Sequence, residues 1–211
     1  LARIKNLFDL YCEPEAVYET LQVMNTLQPG LCVLGTRLPG CFNVFEMSVR
    51  AVLGQQITVK AASTLAARLV AAYGTQVQTG IGGLTHSFPA PAAILALGEN
   101  ISGHLGKLGI ISARANTIYQ LARVLADEKN DFGFCGNPEE EMQKLQSIRG
   151  IGSWTAQYIA MRAMGWPDAF LPTDAGIKKA LPDHTPKELQ ALSEAWRPWR
   201  SYATVNLWNT L

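Results

Sequence analysis

The residue with the sharpest chemical potential is Asp174, which follows Phe170-Leu-Pro-Thr173 and opens a short helical run from Ala175 to Leu181. A carboxylate placed there meets amide donors and the positive end of the helix dipole, and both favour its ionised form. Such a group caps a helix, and it can also stabilise a cationic sugar; the two roles do not compete. Upstream stands Leu145-Gln-Ser-Ile-Arg-Gly150-Ile-Gly152-Ser-Trp154-Thr155-Ala-Gln-Tyr158, an apolar helix end that turns through two glycines straight into a new helical pattern. The turn calls for backbone freedom that other residues lack, and it leaves amides at a positive helix end, which suits a phosphate. The same pattern also describes a tight helix-helix corner. Trp154, Tyr158 and Trp208 are candidates to stack on a base, best on one carrying positive charge. Aromatic residues on helices also fill cores, and that is the reading for Trp166, Trp196, Trp199 and Tyr202.

The elements that must position these residues read as helices throughout. Residues 14 to 28 start with a first-turn proline and place Val17, Leu21, Met24 and Leu27 on one face. Further helices are expected over 42–53, 58–73, 91–97, 101–105 and 112–127, with Ser112 as a cap and a glycine-rich loop over 74–90. Asp127 to Asn137 reads as a polar connection. Asn137-Pro-Glu-Glu-Glu141 then supplies a cap and an acidic first turn for the helix that delivers Leu145 and Ile148 to the hairpin. Thr185-Pro-Lys-Glu188 is a capping box, and Pro198 is expected to open a last helix carrying Trp199, Tyr202, Val205 and Trp208. No alternating strand of five or more residues is found. The fold class predicted is all-α.

Composition sets wide bounds. The 211 residues are 48% hydrophobic, enough for one large domain or two lobes sharing a cleft. The apolar runs fall short of the roughly 20 residues that span a bilayer. A net charge of +1 neither supports nor excludes nucleic acid. Cys12, Cys32, Cys41 and Cys135 form no Cys-x-x-Cys pair and read as buried thiols in a reducing compartment; His86, His104 and His184 have no partner motif and no catalytic role.

Taken together, the hairpin, the Phe170 to Asp174 segment, the Trp196-Arg-Pro-Trp-Arg-Ser-Tyr202 run and Leu38-Pro-Gly40 with Leu53-Gly-Gln-Gln56 resemble the 3-methyladenine DNA glycosylase II family of the helix-hairpin-helix glycosylase superfamily. The four motifs occur in order along nearly the whole chain. The resemblance implies a two-lobed helical fold with a cleft between the lobes, lobe A covering about 41–165 with the hairpin at 145–158 and lobe B about 1–40 plus 166–211. The family's N-terminal antiparallel β domain is not seen in this sequence, and some similar proteins carry an alkyl-transfer repair domain in that place.

Residue by residue, the resemblance implies that Asp174 is the catalytic aspartate, that Gly150, Gly152 and Thr155 bind DNA phosphate, and that Trp154, Tyr158 and Trp208 form the base pocket. Gln56 falls on the side chain that wedges into the duplex; one branch of the family has Leu there and others use Gln. Bifunctional relatives place a Schiff-base lysine where Trp154 stands, so a monofunctional enzyme is expected, one that removes alkylated purines and leaves an abasic site. The four-cysteine iron-sulfur motif of some relatives is missing from the 211 residues. The resemblance implies no cofactor or catalytic metal beyond a monovalent cation at the hairpin. The implied partner is double-stranded DNA with alkylated bases, bound by a monomer in the bacterial cytoplasm at the nucleoid, with no membrane. Two other functions fit the same residues: a non-catalytic helix-hairpin-helix DNA-binding module, and a glycosylase for uracil or oxidised guanine.

Overall fold

The computed structural model describes residues 1–126 and 137–211, and the polar connection with Cys135 lies outside the described residues. Among the described residues twelve α-helices run in order: α1 Ala2–Leu7, α2 Pro14–Leu21, α3 Val44–Leu53, α4 Val59–Tyr73, α5 Pro91–Leu95, α6 Ile101–Gly106, α7 Ser112–Leu125, α8 Pro138–Ser147, α9 Ser153–Ala163, α10 Ala175–Ala180, α11 Pro186–Leu192 and α12 Arg200–Trp208. Among the described residues there is no strand, only an isolated antiparallel bridge between Gln76 and His86. No helix among them is long and apolar enough to cross a membrane.

Local signals account for most helix starts. Asn43, Thr58 and Asp174 each turn a side-chain oxygen onto first-turn amides, and Thr185 with Glu188 forms the expected reciprocal capping box. Three expectations are corrected. The predicted helix over 14–28 stops at Leu21 and tightens into a 3-10 helix, Gln22–Thr26. Here Asn25 turns its side-chain oxygen to the Cys32 amide at 2.9 Å. Ser112 is the first helical residue rather than the cap, because the Ile111 carbonyl already accepts the Ala115 amide at 3.0 Å. The last helix begins at Arg200 instead of Pro198: the Trp199 amide is committed to the Trp196 carbonyl at 2.8 Å, and Trp199 itself is the N-cap.

The chain divides into two compact units, one formed by Leu1–Phe42, Asn137–Met142 and Ala156–Leu211, the other by Asn43–Gly136 and Gln143–Thr155. In the second, α7 packs against α3, α5 and α6, and α3 against α4, over a core that includes Val49, Leu53, Leu69, Ile94, Ile118 and Leu121. In the first, α10 packs on α12, and α2 on the 3-10 helix Ser193–Trp196. Trp196 is buried there, edge-on to Phe170 with ring centroids 5.7 Å apart.

Two polar seams tie the first unit together. Tyr202 donates its hydroxyl to Asp9 Oδ2 at 2.9 Å, and the same oxygen accepts the Leu38 amide. Burial first, then the neighbouring Cys12 and Asp9, hold the Tyr202 phenol far above its ordinary range, so it keeps the proton it donates. The second seam is ionic. Arg200, nearly buried, grips both carboxylate oxygens of Asp168 at 2.6 and 2.9 Å and the Asp168 carbonyl at 2.8 Å. Ser201, next along α12, accepts the Ala169 amide at 3.1 Å and donates toward the Trp166 carbonyl at 2.7 Å. The first turn of α12 thus clamps residues 166–169, the lead-in to Asp174.

Candidate active site

Asp174 is 8% exposed and sits as the N-cap of α10. Its Oδ1 accepts the amides of Gly176 at 2.8 Å and Ile177 at 3.1 Å. The indole Nε1 of Trp208, on the last turn of α12, donates to that same oxygen at 2.8 Å. Three donors converging on one oxygen fix the plane of the carboxylate. The Trp208 ring in turn lies against Tyr158, with centroids 6.3 Å apart and planes tilted by 47°. Asp174, Trp208 and Tyr158 therefore come together in one unit. Trp154 stands four residues before Tyr158 on α9, one turn earlier on the same helix.

Gly176 completes this arrangement, and the sequence reading passed over it. A Cβ at Gly176 would lie 2.7 Å from Trp208 Cδ1 and 2.9 Å from its Nε1, so only glycine lets the indole reach the aspartate. The signal was present as a glycine in the first turn of a short helix, a choice that costs about 1 kcal/mol relative to alanine without another purpose.

In the other unit the hairpin joins α8 to α9 through residues 148–152. Only one of its two glycines needs special backbone: Gly150 has φ of 96°, whereas Gly152 does not enter the left-handed region. This corrects the expectation that both serve the turn. A Cβ at Gly152 would meet nothing within 4 Å, so no internal packing demands glycine there. At Gly150 a Cβ would fall 2.0 Å from Thr117 Oγ1, the hydroxyl that donates to the Arg149 carbonyl at 3.0 Å. Gly150→Ala therefore meets both a strained φ and a steric clash. We expect a stability loss of roughly 2 kcal/mol or more, read from urea denaturation. A loss under about 0.5 kcal/mol would mean that the turn relaxes freely.

Thr155 is buried in the first turn of α9 and accepts from Gln55 Nε2 at 2.9 Å; the same nitrogen donates to the Gly150 carbonyl at 3.0 Å. Gln56, the next residue, is exposed and holds φ of 53°, a left-handed conformation rare for a side-chain-bearing residue. Gly150, Thr155 and the loop bearing Gln56 are thus gathered in this unit by Gln55, a residue the sequence reading did not single out. Among the described residues no group of His, Cys, Asp and Glu could hold a metal ion.

Comparison with known proteins places the chain in a family. Residues 49–199 match the HhH-GPD superfamily base excision DNA repair protein family, and residues 1–43, which hold α1 and α2, match the AlkA N-terminal domain family. The chain is 37% identical over 210 residues to DNA-3-methyladenine glycosylase 2 of Escherichia coli, covering all of this chain and 71% of that protein. It is 42% identical over 215 residues to a probable bifunctional transcriptional activator/DNA repair enzyme AlkA of Mycobacterium tuberculosis, covering all of this chain but 42% of that protein. In fold it is similar to the 3-methyladenine DNA-glycosylase from Archaeoglobus fulgidus, with a TM-score of 0.78 and 23% identity over 98% of this chain and 72% of that one. The chain belongs to the HhH-GPD superfamily of base excision DNA repair proteins.

Proposed function

We propose that this chain is a monofunctional DNA glycosylase that flips an alkylated purine out of duplex DNA and hydrolyses its N-glycosidic bond, leaving an abasic site. The observation that carries the reading is the Asp174 carboxylate, held by three donors on Oδ1 within the same unit as the Trp208 and Tyr158 rings. Membership of a base excision repair superfamily and the identity to a named 3-methyladenine glycosylase support the substrate class.

In the proposed mechanism the hairpin amides around Gly150 and Gly152, with Thr155, take a backbone phosphate. The open space over Gly152 suits so close an approach. Gln56 enters the base stack, and the displaced base stacks on Tyr158, Trp208 and Trp154. A purine alkylated on a ring nitrogen is cationic, which strengthens stacking and makes it a better leaving group. As the glycosidic bond breaks, the sugar develops oxocarbenium character, and Asp174 stabilises that charge or orients the attacking water. The indole at position 154 offers no amine to attack the sugar, so no Schiff base forms and the strand stays intact. A monovalent cation at the hairpin would rest on the resemblance alone. The carbonyls of Ile148, Arg149 and Gly150 each already accept a protein hydrogen, so a cation would use their second lone pairs, and no step runs through it.

The test is to incubate the protein with methylated duplex DNA and, separately, with duplexes carrying uracil or oxidised guanine, identify the released bases by chromatography and run the strands before and after hot alkali. We expect free 3-methyladenine and 7-methylguanine, with breaks only after alkali. Release of uracil or oxidised guanine alone, or of no base, overturns the substrate class; breaks without alkali overturn the monofunctional assignment.

A further inference from the structure

We propose that Gln55 is a positioning residue that fixes the exposed Gln56 to the hairpin, so that gripping the phosphate and entering the stack occur as one rigid movement. This rests on the function proposed above, which makes Gln56 the wedge and the hairpin the anchor.

Gln55 is held from both sides. Its side-chain amide has two hydrogens, and both are committed to the hairpin, one to the Gly150 carbonyl at 3.0 Å and one to Thr155 Oγ1 at 2.9 Å. These partners lie 95 and 100 residues further along the chain. On its backbone side, the Gln55 carbonyl accepts from the guanidinium of Arg114, on the first turn of α7. The Gln55 amide is also used, donating to the Val52 carbonyl at 3.3 Å. Side chain, carbonyl and amide all have partners, so residue 55 has little freedom to rotate.

That restraint matters because of its neighbour. A left-handed φ is strained for a residue with a Cβ, and it persists only where the surroundings over-determine it. Gln56 itself is exposed, and the restraint visible in the structure is on the residue before it. The hairpin, by contrast, does not depend on Gln55 for its shape. The Ile151 amide closes onto the Ile148 carbonyl at 3.0 Å, and Thr117 holds the Arg149 carbonyl at 3.0 Å. Gln55 therefore acts on where the wedge points and leaves the anchor standing.

Gln55→Met keeps the chain length and removes both donors. Single-turnover release of 7-methylguanine is measured from a duplex and from the same oligonucleotide as a single strand, which has no stack to enter. On the duplex the rate is expected to fall on the order of 10-fold, as for a small misplacement of a positioned group, while the single-strand rate stays within about twofold. Gln56→Ala should likewise slow release from the duplex, and the double variant should be no slower on the duplex than the slower single variant, because the two residues act through one another. Arg114→Gln releases the loop from its other side and should reproduce the split, which covers the case in which Gln55→Met fails to fold. Equal slowing on duplex and single strand, or multiplicative losses in the double variant, overturns the proposal. If the parent protein releases no methylated base from either substrate, it is the function reading that has failed.

Discussion

Asp174→Asn is expected to leave the fold standing and to remove base excision. The substitution is close to isosteric, and an asparagine oxygen can accept the Gly176 and Ile177 amides and the Trp208 indole that converge on Oδ1. Asparagine is as good an N-cap as aspartate, so thermal stability should change by less than about 1 kcal/mol. What disappears is the negative charge. The sugar becomes cationic only as the bond breaks, so the carboxylate acts mainly on the transition state, and its loss should appear in the rate of release more than in binding of the duplex. Loss of a preorganised electrostatic partner of this kind costs on the order of 10²–10³ in rate. Single-turnover release of 7-methylguanine, measured beside duplex affinity and melting temperature, separates these effects. A variant that releases base at the parent rate would reduce Asp174 to a helix cap.

The second large effect is on stability. Asp168→Ala strands Arg200, whose side chain is 7% exposed and which finds its close carboxylate partner in Asp168. The other acid near it, Glu194, is 3.5 Å away and half exposed. Removing one member of a buried, multiply bonded pair costs about 3–5 kcal/mol, because the remaining charge keeps its desolvation penalty. For a chain of this size each kcal/mol lowers the melting temperature by roughly 2–4 °C, so a fall of about 10 °C is expected. The bond from Arg197 to Asp168 should contribute little, since that arginine is 48% exposed. A loss under about 1 kcal/mol would mean that Arg200 finds water or Glu194 instead, and that the clamp on residues 166–169 is not held by charge.

The parts of the molecule legible in the sequence are those written locally. Asp174 as a cap, the Thr185 to Glu188 box, the start of α8 at Pro138 and the turn at Gly150 each depend on residues within four positions of one another, and all appear where the patterns place them. The rest is set by distant partners. Nothing near Gly176 announces that an indole 32 residues later needs the space of its missing Cβ. Gln55 stands in the Leu53 to Gln56 motif with no role of its own until the hairpin, 95 residues on, supplies its acceptors. Even the start of α12 was displaced from Pro198 by a bond to the Trp196 carbonyl, a choice the proline does not dictate.

The seam between Asp9 and Tyr202 bears on how the protein is made. Its two ends are 193 residues apart, and Val33 likewise waits for the side chain of Asn206, to which its amide donates at 3.0 Å. On a ribosome, residues 1–42 emerge well before the α12 side chains they pair with. The unit bearing the hairpin has all of its chain once residue 155 is synthesised, so it is the one able to form during translation, while the unit bearing Asp174 closes only as α12 leaves the exit tunnel. The carboxylate is assembled after the anchor, and only once α12 has been made.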